Sequence, residues 1–417
     1  MPKYFDAILL LIFSFLFTQF KRDVTTVAEI YIPLIIFLNF LYCAISYVGA
    51  NYLHRKENIF KIKLTLLLFI FAISIGKSTV SAIHMRHLHP NDYPVHDNPR
   101  QIEQAAKYLY QGKNPYSEPY RGIGMEKSWP ENPAVYHVVT MPFYLIFSAF
   151  VLYPVNMITG YFDERIVHWI IFMPAIYLLY KLLRKQKEED IFLFLIVFFF
   201  NPLFVHFLIS GRSDVFVYSL LLFSFYSLFK NKYFFSSLFF GLAFVSKQSS
   251  WLLTPFFFYY LCLTSKEKNF TNKFKEIFRK TWIFFIISAI FIVPFLLWDA
   301  KGFIDGIYNF PAGTLKTSFP IMGYGFSSIL REGRILKDNA YFPFYILQVI
   351  FGLPVFIIMI KYLKNNFNIG SLIIAYAIFL LIFWYFSRFF LDNYIGFLIM
   401  LFLTANLFKS VKNDTSL

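Results

Sequence analysis

The stretch from Ile83 to Asn132 is where aqueous chemistry could take place. It reads IHMRHLHPNDYPVHDNPRQIEQAAKYLYQGKNPYSEPYRGIGMEKSWPEN. Its fifty residues hold no apolar run long enough to cross hydrocarbon, so it must lie in water or on a lipid surface. It carries His84, His87, His89 and His96, four of the chain's eight histidines, together with Asp92, Asp97 and four further carboxylates. Farther on, Arg212, Asp214, Lys247 and Arg388 stand at or just beyond the ends of apolar runs. A charge there is costly unless paired or wet, which makes these residues functional candidates alongside Asp97 and Arg100. Arginine's planar fork and lysine's compact ammonium both suit phosphate oxygens. A sugar held on a lipid phosphate departs from an anion that is already stable, so cations need only neutralise developing charge. One carboxylate then suffices to take the acceptor hydroxyl's proton, and Asp97 is the candidate base. A glycosidase, with its alkoxide leaving group, would call for two paired carboxylates.

Composition sets the surroundings. Hydrophobic residues make up 58% of the 417 and charged ones 15%, which excludes a soluble globular chain. The 58 Phe and 29 Tyr suffice for lipid-facing surfaces and interfacial belts. The net charge of +15 sits mainly in short loops between apolar runs, so membrane orientation explains it better than nucleic acid. Cys43 and Cys262 lie far apart in apolar runs, against a disulfide framework or thiolate metal site. The first apolar run has only Lys3 ahead of it and no small-residue cleavage pattern after it, and reads as a retained span.

Taken in order, apolar runs at 5–20, 27–50 and 63–82 precede the wet stretch, with the basic NYLHRKENIFKIK between the second and third. Keeping that loop in the cytoplasm puts 83–132 outside and makes KRD at 21–23 a mild violation. Residues 133–156, with Pro133, Pro142 and Pro154, read as a broken, re-entrant or interfacial helix. If the chain dips and returns there, every strongly basic loop that follows stays inside. Further spans fall near 164–183, 190–209, 213–229, 232–247, 250–264, 281–298, 341–362, 368–386 and 390–408. The expectation is an all-α polytopic membrane protein of about twelve transmembrane helices, thirteen if 133–156 crosses, with juxtamembrane helices in the first outer loop. Two extra helices in 1–62 precede a membrane domain over 63–417, whose outer loops are 83–132 and 299–340.

The same residues allow plainer readings. Asp97 before Asn-Pro-Arg is also a helix N-cap, which is compatible with catalysis because a cap fixes the carboxylate's direction. Asp92 lies in a turn-rich HPNDYP and reads as a brace. HxxH puts two imidazoles on one helix face, but a third metal ligand would have to come from irregular chain. Arg212 and Asp214 could simply pair across a short turn, and Arg388 could pair with Asp392 four residues on. Lys247 has no acidic neighbour in sequence and sits outside against the positive-inside bias, which favours phosphate binding.

The stretch HDNPRQIEQAAKYLYQGKNPY resembles the first outer loop of GT-C-fold glycosyltransferases, with Asp97 opening a helix, Ala105 and Ala106 packing it, and Gly112, Pro115 and Tyr116 closing it. FNPLFVHFLISGRSDVFVYSLLLF and FSSLFFGLAFVSKQSSWLLTPFF are similar to the family 87, mannosyltransferase-like branch at Asn201, Pro202, Gly211, Asp214, Gly241, Ala243, Lys247 and Pro255. WDAKGFIDGIYNFPAGTLKTSFPIMGYGFSSIL and FWYFSRFFLDNY resemble the same branch's later outer loop and last span. The resemblance covers roughly 83–400 by pattern. It departs at Asn98, where many members carry a second acid, and in the two extra N-terminal spans. It implies a GT-C-like bundle and inverting transfer of a hexose, mannose by branch, from a polyprenyl-phosphate donor to an outer-face acceptor, glycan or lipid. Asp97 would be the base. Lys247, Arg212 and Arg388 would bind phosphate, with Asp214, His96, Arg100 and Tyr116 around the substrates. No cofactor is required beyond the lipid-linked co-substrate, and a divalent metal stays open. The alternatives are a transporter or flippase of lipid-linked or anionic solutes and an O-antigen-type polymerase or ligase.

Overall fold

The computed structural model describes residues 4–19, 31–52, 56–89, 95–126, 129 and 131–410; KRD at 21–23, Asp92 and the tail after Ser410 lie outside them. The described chain is helical almost throughout. In order it forms α1 (Phe5–Gln19), α2 (Tyr31–Tyr52), α3 (Lys56–Phe71), α4 (Lys77–Leu88) and α5 (Asp97–Tyr110). Then come α6 (Pro142–Thr159), α7 (Glu164–Leu183), α8 (Glu188–Phe199), α9 (Pro202–Ser210), α10 (Asp214–Phe229), α11 (Tyr233–Phe244) and α12 (Thr254–Thr264). The rest is α13 (Phe270–Ile304), α14 (Phe310–Ala312), β1 (Met322–Gly323), α15 (Phe326–Glu332), α16 (Phe344–Asn365), α17 (Ile369–Tyr385), β2 (Phe389–Phe390) and α18 (Asp392–Ser410). A single-turn π-helix, Ala72–Gly76, joins α3 to α4 without a break.

Two compact units result: Met1–His96 with Leu183–Arg212, and Asp97–Leu182 with Ser213–Leu417. In the first, α8 and α9 pack against α1. The α8–α9 pair is one apolar run bent by 48°. At the bend Asn201 accepts from the amide of Leu203 at 3.0 Å, with Pro202 filling a position that needs no donor. Apolar packing here is supplemented by one polar tie. Asp6 accepts from Lys63 at 2.6 Å and from Tyr42 at 2.8 Å, joining α1, α2 and α3 away from water.

The second unit is built around α10, nearly all of whose residues are buried. Small residues let its neighbours close in: Ser224 donates to the carbonyl of Ser236 at 2.9 Å, and Gly241 lies where an added Cβ would stand 3.3 Å from the Cα of Phe284. These contacts pack α11 between α10 and α13, while α16, α17 and α18 form a consecutive hairpin series.

Among the described residues seven helical stretches are long and apolar enough to cross a membrane, or eight if the bent α8–α9 pair is one span. Seven of the expected twelve crossings fall on these stretches, four on the shorter apolar helices Phe5–Leu16, Asp214–Phe229, Tyr233–Phe244 and Ile369–Tyr385, and 250–264 on neither. Pro142–Thr159, expected to dip and return, is itself one of the seven. At 1.5 Å per residue, a twelve-residue helix spans about 18 Å of the ~30 Å hydrocarbon layer.

The path through α6 bears on the side each loop takes. Phe143 and Tyr144, in its first turn, pack on Phe216 at the start of α10. The amides of Met141 and Phe143 donate to the carbonyls of Ser246 and Val245, at the end of α11. The chain then turns at Gly160 and brings the start of α7 back beside α6: Ser148 donates to Glu164 at 2.9 Å, and Tyr144 meets His168. Helices α6, α7 and α10 therefore all begin at the end of the bundle where α11 finishes.

Candidate functional site

Asp97 opens α5, an amphipathic helix whose buried face carries Arg100, Gln101, Ile102, Glu103, Ala105 and Ala106. Its carboxylate is half-buried, and Oδ2 accepts from Asn132 Nδ2 at 2.9 Å. The side-chain oxygen of Asn132 caps the short helical turn Pro133–Val135 by accepting from the Ala134 amide. One turn into α5, Gln101 donates to the carbonyls of Ala134 at 2.5 Å and His137 at 3.0 Å. Gln248, next to Lys247, donates to the carbonyls of Val139 at 2.9 Å and Ile307 at 3.0 Å. The run 132–141, which begins with that helical turn, is thus fixed to Asp97 and Gln101 at one end and to Ser246 and Gln248 at the other. One run of chain ties Asp97 to the residues on either side of Lys247.

The loop between α5 and this run is held by its tyrosines. Gly112, at φ 67°, ends α5 in a left-handed turn open to glycine. Tyr116 is 4% exposed, donates to the Thr140 carbonyl at 2.7 Å and packs edge-on against Phe295 and Phe303. Its hydroxyl serves the loop, so the expected substrate contact at Tyr116 is not what its surroundings provide. Tyr120 donates to the Pro115 carbonyl at 2.8 Å, and its amide donates to Val135 at 2.8 Å. Arg100 is buried, with Nη1 donating to the Ile123 carbonyl at 2.7 Å.

The expected phosphate cations fare differently from one another. Lys247 Nζ lies 2.7 Å from Asp214 Oδ1 and 3.3 Å from Ser213 Oγ, with a fifth of its side chain exposed (21%). Asn393 donates to the other Asp214 oxygen at 2.7 Å. The partner of Asp214 is therefore Lys247, distant in sequence. Arg388 is 3% exposed and donates to the carbonyls of Phe319 (2.8 Å), Ala340 (2.8 Å) and Asp338 (3.4 Å). Burial lowers its pKa from the ordinary arginine value. Those donors hold the loop that contains Phe319, Asp338 and Ala340. Arg212, half-buried, belongs to the first unit and lies over the Phe207 ring at 4.4 Å. His96 is half-buried immediately before α5, while His84, His87 and His89 are exposed at the end of α4. Among the described residues no three His, Cys, Asp or Glu side chains come together as a metal site.

Two features went unread in the sequence. One is a cleft of about 740 Å³ between two loops, walled by Arg121, Glu126, Trp129, Glu131, Asn132 and Tyr136 on one side and by Lys316, Thr317, Ser318, Asp338 and Asn339 on the other. Asn132 belongs both to this wall and to the Asp97 carboxylate. The second is a buried polar group where α7 begins. Arg165, 1% exposed, holds Asp163 through two side-chain bonds at 2.8 and 2.6 Å. Glu164 lies 3.9 Å from His168, and its amide donates to Glu103 at 2.9 Å. The signal was DERxxH opening an apolar run, charges that hydrocarbon tolerates only when they are paired.

Comparison with models of protein families and with curated proteins finds no match to this chain.

Proposed function

We propose that the chain is an integral-membrane glycosyltransferase. In this reading it moves a hexose, mannose by the branch it resembles, from a polyprenyl-phosphate donor to a hydroxyl on the non-cytoplasmic face. One observation carries the proposal: the Asp97 carboxylate lies directly behind Asn132, which lines a polar cleft between two outer loops. Asp97 takes the acceptor proton as the hydroxyl attacks the anomeric carbon, the lipid phosphate departs with the bonding pair, and direct attack inverts configuration. Of the expected cations, Lys247 keeps exposed surface and a further N–H to offer a phosphate oxygen, with Asp214 fixing its direction. Arg388 acts through the loop it clamps. The bundle is read as a GT-C-like arrangement of about twelve crossings, with α5 and α6 as juxtamembrane helices. Lipid-linked donor, glycan or lipid acceptor and bilayer lipid are its partners.

The test is transfer from a panel of polyprenyl-phosphate sugars by purified protein and by Asp97→Asn. Loss of ~10²- to 10⁴-fold in the variant, with unfolding unchanged, is the expected result. Inserted, folded Asp97→Asn that still transfers sugar would refute the base assignment.

The buried Glu164–His168 pair favours a second reading, since transporters place such pairs in their spans. Proteoliposomes that move a lipid-linked solute without forming a glycosidic bond would decide for it.

A further inference from the structure

The cleft between the outer loops has a chemistry of its own. Its volume, about 740 Å³, is that of a site enclosing a whole small ligand, room for about two or three sugar rings. The lining is poor in aliphatic side chains: Val135 is buried, and the remaining apolar surface is Pro133, Pro320 and the rings of Trp129 and Tyr136. A prenyl chain would find little to cover it there. Among the described residues Glu126, Glu131 and Asp338 face Arg121 and Lys316, so no cationic excess awaits a phosphate. Part of this charge is already engaged. Arg121 lies over the Tyr136 ring at 5.1 Å and donates to its hydroxyl at 3.2 Å, and Glu126 accepts from the Gly122 amide at 2.8 Å. What is left for a ligand is an array of mixed donors and acceptors: Lys316, Asp338 and Asn339 opposite Glu131, beside Thr317, which meets His137 at 3.2 Å, and Ser318, which accepts from the Leu315 amide at 3.2 Å. Trp129 stands among them as a half-buried ring steadied by Phe319 at 5.8 Å.

From these features we infer that the cleft binds an uncharged, hydroxyl-rich glycan, stacked on Trp129, as the acceptor. A hydroxyl both donates and accepts, so it can satisfy the carboxylates of one wall and the amide and hydroxyls of the other. An anionic glycan would meet Glu131 and Asp338 with only Lys316 left to offset them. The flat apolar face of a sugar ring matches an indole, which offers a large apolar surface. The role as acceptor site rests on the transferase reading; the binding of neutral glycan does not.

The experiment uses the full chain in nanodiscs and ligand-observed NMR with three probes: mannotriose, trigalacturonate and inorganic phosphate. Mannotriose should bind, and trigalacturonate should bind at least ~10-fold more weakly. Trp129→Ala should weaken mannotriose by ~3- to 10-fold and raise the acceptor KM, with Trp129→Phe between it and the wild type. Asn339→Ala, on the exposed rim of the opposite wall, should weaken binding without touching the Trp129–Phe319 contact. Phosphate or trigalacturonate binding as tightly as mannotriose overturns the inference, as does folded Trp129→Ala and Asn339→Ala protein that binds like the wild type. Trp129-dependent mannotriose binding with no transfer from any lipid-phosphate sugar sinks the transferase reading alone. Asp97-dependent transfer indifferent to both cleft variants sinks the cleft assignment alone.

Discussion

Replacing Arg388 by Met separates a structural role from a ligand-binding one. The guanidinium makes two short bonds, to Phe319 and Ala340 at 2.8 Å, and a long one to Asp338 at 3.4 Å. Hydrogen bonds from a charged donor contribute ~1.5–3 kcal/mol each, so the two short ones amount to about 3–6 kcal/mol. Burying the charge offsets part of this, as the lowered pKa indicates, leaving ~2–4 kcal/mol for closure of the 313–340 loop. The amide of Ile321 reports on that closure, because it donates at 2.7 Å to the Asp338 carbonyl that Arg388 also approaches. In Arg388→Met, hydrogen exchange at Ile321 and through 313–340 should accelerate by ~30- to 1,000-fold while exchange in α10 stays as it was. Arg388→Lys should behave almost as badly, since one ammonium cannot reproduce a fork that reaches three carbonyls. Gly313 shows how tightly the fork is enclosed: a Cβ there would lie 2.5 Å from Arg388 Nη1. Unchanged exchange at Ile321 together with a raised donor KM would show that the arginine belongs to the ligand and not to the loop.

Other outcomes follow from the same contacts. Asp214→Asn, leaving the Lys247 ammonium without its carboxylate, should cost ~2–3 kcal/mol, less than for a fully buried pair because a fifth of the lysine side chain reaches solvent (21%). Adding Lys247→Met should recover most of that loss in a denaturant titration; simple additivity would sink the pairing argument. His137 is held below its ordinary value of 6.5 chiefly by burial, against an opposing pull from Asp305. Its contribution to stability is therefore complete above that pH and is lost as pH falls through the folded value. Unfolding of wild type and His137→Gln should differ most above pH ~7 and converge under acid, and a constant gap would refute the linkage. Gly323→Ala should open the β1–β2 pair, because at φ 104° its Cβ would sit 2.2 Å from the Phe390 carbonyl oxygen; near-wild-type exchange at Tyr324 would count against it.

The all-helical membrane character was legible because the apolar runs are long and their boundaries charged. Helix α5 was legible at Asp97, where Asp-Asn-Pro-Arg starts an amphipathic turn. Span length was less so: Tyr233–Phe244 reads as part of a longer apolar run, but the helix ends at Phe244 and the chain turns at Val245 to meet α6. The partners of Lys247 and Arg388 were out of reach, because Asp214 lies 33 residues away from the first and the nearest carbonyl bonded to the second 48 residues away. Tyr116 entered the substrate set through the family resemblance, and its packing on Phe295 and Phe303 is a contact that no local spacing shows. The cleft escaped for a related reason. Its walls come from stretches nearly two hundred residues apart, and no spacing rule connects Trp129 with Thr317.

The run 132–141, a helical turn at 133–135 followed by irregular chain, works as a ruler between two anchors, with Asn132 at one mark and Met141 at the other. An inserted residue would add about 2 Å in the helical turn or about 3.3 Å where the chain is extended, sliding the two ends past each other by more than any hydrogen bond tolerates. The distance from the carboxylate to the lysine is therefore set by a count of peptide units, not by the side chains at either terminus.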